Sequence, residues 1–284
     1  MTSSLHYELF VASQIPQSGR GPLPDGGTRM WSPITSTLIQ GTHDAVLVDP
    51  PLTTTQAADV GDWIDVTGRR LRQIYITHGH GDHWFGAIPL LERFPGVAVR
   101  ATEGTKQHMA IQNTAEFRAD FWDRVFPGQL PAGEVDVDVV DERGFELEGV
   151  RLVPVEMGHT DTDATTMLHV PQSELLVAGD VVYNGVHLYL TESGGVAGID
   201  EWLAALDVAE ALRPVAVVAG HKNPQRADDP SQIQATRRYL TDARQLLESS
   251  ARAEEFYKGM LALYPNRINP GALWGAAITL LPQA

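Results

Sequence analysis

The chain has 284 residues, 43% of them hydrophobic, no cysteine and a formal net charge of −15. The missing cysteines exclude a disulfide scaffold, a thiolate nucleophile and sulfur metal ligands, and the negative field opposes nucleic acid as partner or substrate. No apolar run reaches the roughly 18–20 residues of a membrane helix, and the opening MTSSLHYELF lacks the basic-then-apolar pattern of a secretory leader, so a cytoplasmic protein without a membrane partner is expected.

STLIQG and AVLVDP read as two short strands joined by a polar turn at Gly41–Asp44. A helix is expected from Thr54 to Thr67, and QIYIT is a buried strand ending at Thr77. The stretch THGHGDHW therefore falls after a strand, at the start of a helix near His83–Leu90. GVAVRAT is a further strand. Gly104 to Phe126 is patterned as helix, with Phe117, Phe121, Trp122, Val125 and Phe126 on one face, and FPGQLPAG follows as loop. VDVDVV, RLVPVEM, TTMLHV and ELLVAGD read as strands, Glu201–Leu212 as helix and PVAVVAGH as strand. From Pro230 to Tyr264 the chain is mostly helical, either a packing cap or a dimer surface. No composition shift marks a linker. The expectation is one layered α/β domain over residues 1–284, with a helical C-terminal segment about 230–284.

His78, His80, Asp82 and His83 crowd into one loop. Imidazole nitrogen and carboxylate oxygen are the donors a divalent cation takes where no thiolate exists. Gly79 and Gly81 are expected to let the backbone turn sharply, so that the four side chains converge. More donors follow an apolar strand and a glycine: His159 in VEMGHTDTD, Asp180 in LLVAGD and His221 in VVAGH. Strand ends of this kind are where a packed sheet meets a functional rim.

In this order the motifs resemble those of the metallo-β-lactamase superfamily. THGHGDH matches its central motif; GHT at His159, GD at Asp180 and GH at His221 match the later ones, and VLVDP places Asp49 at the end of an early strand. The resemblance spans roughly residues 30–225. It implies a four-layered αββα sandwich with metals at one edge, between the sheets. It implies that His78, His80 and His159 hold one metal, that Asp82, His83 and His221 hold a second, and that Asp180 bridges them. Zinc suits such nitrogen and oxygen donors, and iron or manganese would also be accepted. A water shared by the metals would attack a carbonyl. Asp82 and Tyr183 are the catalytic side chains expected, Tyr183 resembling the tyrosine that some family lactonases aim at the substrate. Asp49 and Thr77 are expected to orient imidazoles.

The absence of cysteine separates the chain from β-lactamases that use a cysteine ligand; a bridging aspartate is similar to the lactonase and glyoxalase-type pattern. No basic cluster is visible: Arg267 and the Arg237–Arg238 pair are scattered and Lys222 stands alone. That lowers the glutathione thioesterase and nuclease readings. His108 and His169 are expected to be structural or exposed. The leading expectation is a dinuclear zinc hydrolase of an ester, lactone or amide, acting on a small, partly apolar molecule, with a homo-oligomer left open. Phe117, Phe121, Trp122, His187 and Tyr189 either line its pocket or only pack. The alternative is an iron-dependent oxidoreductase on the same fold, of the sulfur dioxygenase or diiron type.

Overall fold

The computed structural model describes residues 5–283 and begins with β1 (His6–Val11), a strand absent from the sequence reading. It pairs antiparallel with β2 (Thr35–Gln40), which pairs antiparallel with β3 (Asp44–Val48). Helix α1 (Thr54–Thr67) has the expected bounds. Thr53 and Gln56 close a capping box at its start, and Gly68 ends it in the left-handed conformation. Next come β4 (Arg70–Tyr75), a 3₁₀ turn at Gly81–His83, α2 (Ala87–Arg93) and β5 (Ala98–Ala101). The helix expected from Gly104 to Phe126 is broken. Helix α3 (Glu103–Gln112) stops, Thr114 caps a new start, and α4 (Ala115–Phe117), a π turn (Arg118–Trp122) and α5 (Asp123–Val125) follow. β6 (Val137–Val139) completes a sheet ordered β1-β2-β3-β4-β5-β6.

The second sheet is built from β7 (Phe145–Leu147), β8 (Val150–Gly158), β9 (Thr165–Val170), β10 (Leu175–Asn184) and β11 (Ala216–Lys222), in the order β11-β10-β9-β8-β7. Helix α6 (Gly195–Ala211) connects β10 to β11, and α7 (Ser231–Ser249), α8 (Ala253–Leu263) and α9 (Pro270–Leu280) close the described chain. Strand β10 runs past Asp180, where the sequence suggested an end, and β7 had no counterpart there, whereas α9 falls within the segment about 230–284 expected to be helical.

Strand alternation makes four layers. In β3, Ala45 and Leu47 point to a core shared with Val60 and Ile64 of α1, whereas Val46 and Val48 point the other way. There they meet Val177 of β10 and Leu168 of β9, so this middle core lies between the sheets. On the far side Leu176 and Ala178 pack with Trp202 of α6, Leu240 of α7, Phe256 of α8 and Leu273 of α9. The order is helices, sheet, sheet, helices: the expected αββα sandwich. The segment after Pro230 is thus a packing layer on the second sheet. Among the described residues no helix is long and apolar enough to cross a membrane.

Candidate metal centre

The sheets leave a rim at which β3, β4, β10 and β11 deliver polar side chains. Asp49 follows β3 and Thr77–His83 follows β4; Asp180 and His221 sit on β10 and β11. An isolated bridge between Ile34 and His221 ties the segment before β2 to the second sheet. Four donor groups with atoms within 4.8 Å of one another result among the described residues, and two of them face each other across the rim: His78, His80 and Asp161, and Asp82, His83 and His221; the others are Asp49, His78 and His83, and His80, His108 and Glu192. In the first, His78 Nε2 lies 3.2 Å from His80 Nδ1, and Asp161 Oδ2 is 3.1 Å from His80 Nδ1. In the second, His221 Nε2 is 3.5 Å from Asp82 Oδ2. Asp180 lies against this group, at 3.4 Å from His83 Nε2 and 3.2 Å from His221 Nε2.

The outer edge of each ring is tied to a partner. His221 Nδ1 lies 2.8 Å from the Pro33 carbonyl, which can only accept, so that nitrogen carries the proton. His83 Nδ1 lies 3.0 Å from Asp49 Oδ2. Thr77 spends its own proton on Asp49 at 2.7 Å, which leaves its oxygen to accept from His78 Nδ1 at 3.0 Å. These bonds place Nδ1–H outward and turn the Nε2 lone pairs of His78, His83 and His221 inward, the arrangement a cation needs. Asp49 holds this post with φ +53°, and its Oδ1 also accepts from the Thr77 amide at 2.9 Å. Trp31 Nε1 donates to Asp82 Oδ2 at 2.7 Å. Glu192 takes the outer side of His80, at 3.3 Å from Nε2, and accepts from Thr162 and Tyr189.

Burial and charge set the protonation. Burial and the neighbouring His83 hold His78 well below the usual imidazole range. Burial also opposes charge on His83, but Asp180, Asp82 and Asp49 overcome it and push this imidazole up to about 10. His80 and His221 are likewise raised against their burial, by Glu192 with Asp161 and by Asp180 with Asp82 respectively. Burial would raise Glu192, yet His80 beside it lowers it to about 2. The carboxylates therefore demand positive charge at this rim. His83 Nε2, Asp180 Oδ1 and Asp161 Oδ2 are buried and make no hydrogen bond, so the donors present fit a divalent cation.

Several expectations need correction. His159 does not join either group. Its Nδ1 lies 2.6 Å from Asp163 Oδ1, and its Nε2, buried and without a hydrogen-bond partner, faces the start of α6, where a side chain on Gly198 would stand 2.8 Å away. Asp161, two residues on, turns into the space beside His78 and His80 instead. Tyr183 was expected to reach substrate; it is fully buried and donates to Asp180 Oδ2 at 2.5 Å. It is a positioning residue for that carboxylate. Gly79 and Gly81 have no left-handed backbone. They are glycine because of crowding: a Cβ would lie 2.5 Å from His108 at one and 2.5 Å from Phe85 at the other. Gly220 is crowded for a more telling reason, since its Cβ would lie 2.2 Å from Asp180 Oδ1. His108, expected to be structural or exposed, packs its ring 5.5 Å from that of His80.

The Tyr183 geometry carries a prediction. Tyr183→Phe removes one of the bonds that orient Asp180, and losses of such outer partners typically cost about 10–100-fold in metal affinity. Chelator competition should show that weakening, while kcat per bound metal stays unchanged. A fall in kcat at full metal occupancy would return Tyr183 to the reacting atoms.

Above the donors lies an open cleft, with His80, Asp82, Asp180 and His221 at its floor. Phe117, Phe121, Trp122, Trp31 and Tyr189 form its walls. Phe117, Phe121 and Trp122 thus do reach the cleft, despite the broken helix. His187 does not line it; it is buried 3.0 Å from the Tyr239 hydroxyl. Arg20 and Arg29 also line the cleft, a pair invisible in a linear search for basic clusters.

Residues 29–221 match the sequence model of the Metallo-beta-lactamase superfamily. Among solved structures, a metallo-beta-lactamase family protein from Thermus thermophilus superposes with a TM-score of 0.64 at 20% identity, over 96% of this chain and 91% of that one. A beta-lactamase domain protein from Burkholderia ambifaria gives 0.66 at 17%, over 96% and 84%. A metallo-beta-lactamase from Pontibacter korlensis gives 0.57 at 19%, over 84% and 100%. At these identities the likeness establishes the fold. No curated protein matches.

Proposed function

The chain belongs to the metallo-beta-lactamase superfamily, and on that premise we propose that its buried cluster holds two divalent cations and hydrolyses an ester, lactone or amide in a small, partly apolar molecule. One observation carries the reading: three imidazoles present Nε2 inward, each with Nδ1 committed outward, against buried carboxylate oxygens that have no other partner. His78, His80 and Asp161 would hold one cation and Asp82, His83 and His221 the other. Asp180 would bridge, since its charge acts on His78 as well as on His83 and His221. Bound there, zinc supplies Lewis acidity and a water that ionises near neutral pH.

The chain's own residues do the rest. Asp49, Thr77 and Pro33 fix the imidazoles; Glu192 braces His80, and Tyr183 braces Asp180. Asp82, held by Trp31 at the cleft floor, is the carboxylate placed to accept and return a proton. Trp31, Phe121 and Trp122 narrow the cleft with packed rings, which excludes water and favours an apolar substrate body.

The test starts from protein purified without added metal. Elemental analysis is expected to find zinc at about two per chain. Turnover of a panel of aryl esters, lactones and anilides should vanish on chelation and return with zinc, manganese or cobalt. Iron with a visible absorption band and no hydrolysis would support the oxidoreductase instead. Full turnover by verified metal-free protein would overturn the mechanism.

A further inference from the structure

We propose that Arg20 and Arg29 form an anion subsite in the cleft, which selects substrates carrying a carboxylate on an apolar body. The proposal rests on the hydrolase reading only for the identity of the bond cleaved.

The chain is strongly acidic, yet two guanidinium groups line the same cleft, and among the described residues neither forms an ion pair with a carboxylate. Arg29 is only 4% exposed. Its Nη1 donates to the Arg20 carbonyl and its Nη2 to the Gly271 carbonyl, both at 3.2 Å, and its Nε is buried without a partner. Carbonyl dipoles satisfy hydrogen bonds but leave the charge uncompensated, an arrangement that burial penalises. Arg20 lies over the Phe121 ring at 4.6 Å, and its Nε is also buried and unpartnered. Burial, and then the neighbouring Arg20, lower the Arg29 guanidinium below its usual range, so an anion beside it would relieve both.

The third positive feature is α9. Gly271 and Ala272, in its first turn, line the same cleft. The start of an eleven-residue helix presents the positive end of its dipole to whatever sits there. The cleft's own carboxylates are committed elsewhere. Asp82 accepts from Trp31, Asp180 from Tyr183, and Glu192 faces His80 and accepts from Tyr189. They leave the arginine end without a negative partner.

A guanidinium offers a planar fork that matches two carboxylate oxygens. The Phe121 ring beneath Arg20, with Trp31 edge-on to it at 6.2 Å between centroids, provides the apolar path next to that fork. A substrate that satisfies both carries its reacting carbonyl over the donor cluster, an apolar spacer along the rings and a carboxylate at the arginines.

The experiment titrates 3-phenylpropionate and its neutral amide into the metal-loaded protein by calorimetry. The acid is expected to bind at least about tenfold more tightly than the amide. That preference should disappear in Arg29→Met and shrink in Arg20→Gln, with amide binding unchanged in both. Arg20 is half-buried, so Arg20→Gln keeps the question open to measurement should Arg29→Met fold poorly. Equal binding of acid and amide by the native protein overturns the proposal, and so does a preference that survives both substitutions, since the metals would then be its source. In parallel, the mono-4-nitrophenyl ester of glutarate is compared with 4-nitrophenyl valerate. Charge preference in binding without turnover of either ester removes the hydrolase reading and leaves the subsite. Equal turnover of both, with no preference in binding, removes the subsite and leaves the hydrolase.

Discussion

Asp180→Ala is expected to empty the centre. The carboxylate meets His83 at 3.4 Å and His221 at 3.2 Å and is the strongest cause of their raised protonation. Removing it leaves two inward-facing imidazoles with less negative charge to share, and takes away the only proposed contact between the two cations. Outer partners already cost about 10–100-fold in affinity, so a bridging ligand should exceed the upper end of that range. Activity should fall by on the order of 10³-fold or more, given that a single oxyanion donor is worth about 10²–10³. His221→Ala is the contrast. His221 belongs to the Asp82–His83 group alone, and that variant should keep the cation at His78 and His80. Metal per chain, measured after dialysis, separates the two. Loss of the same single metal in both variants would contradict the bridge.

Asp161→Ala should strip the cation at His78 and His80, whereas His159→Ala should leave it in place. Asp161 is wholly buried, with Oδ1 accepting from Thr160 at 2.9 Å and Oδ2 directed at His80. The turn accounts for where the two side chains lie. The Thr160 amide donates to the Thr162 carbonyl, and Ala164 sits at φ +54°, so alternate side chains between β8 and β9 face opposite ways. His159 leaves toward α6 and the exposed Asp163, and Asp161 enters. Since Asp161 would supply both charge and a donor atom, metal content in Asp161→Ala should approach half that of the native protein, with turnover down by at least about 100-fold. Asp161→Asn keeps the volume and should show most of the same loss. A normal metal content in Asp161→Ala together with loss in His159→Ala would return the position to the histidine.

What could be read in advance follows from how local each signal is. Helix α1 was legible to the residue because Thr53, Gln56 and Gly68 mark its ends chemically. Helix α9 fell inside the segment expected to be helical, but its bounds were not legible, because PGALWGAAITL is apolar at nearly every position and has no polar face to set a period. Strand β1 lies at the sheet edge with mixed exposure, and β7 is too short to alternate. In the site, His78, His80, Asp82 and His83 were legible because one loop carries them all; Asp180 and His221 were legible because apolar strands lead into them. That Asp161 rather than His159 lies beside His78 and His80 depends on one turn's dihedrals. Arg20, Arg29, Trp31 and Glu192 come from irregular segments far apart in sequence, and only the tertiary fold makes them neighbours. Tyr183 illustrates the opposite risk: β10 continues past Asp180, so the side chain returns to the core rather than leaving with a turn.

The two sheets use the chain in consecutive blocks, β1 through β6 and then β7 through β11. The exposed turn Asp141–Gly144 is the seam between them. A cut there would leave His78, His80, Asp82 and His83 on one fragment and Asp161, Asp180 and His221 on the other. Neither fragment would own a complete coordination sphere, so cation capture would report reunion of the halves. The same division would make a bound ion a thermodynamic staple: its binding energy would be available only to the joined state, and the cohesion it adds to the sandwich would grow with the logarithm of the free ion supplied.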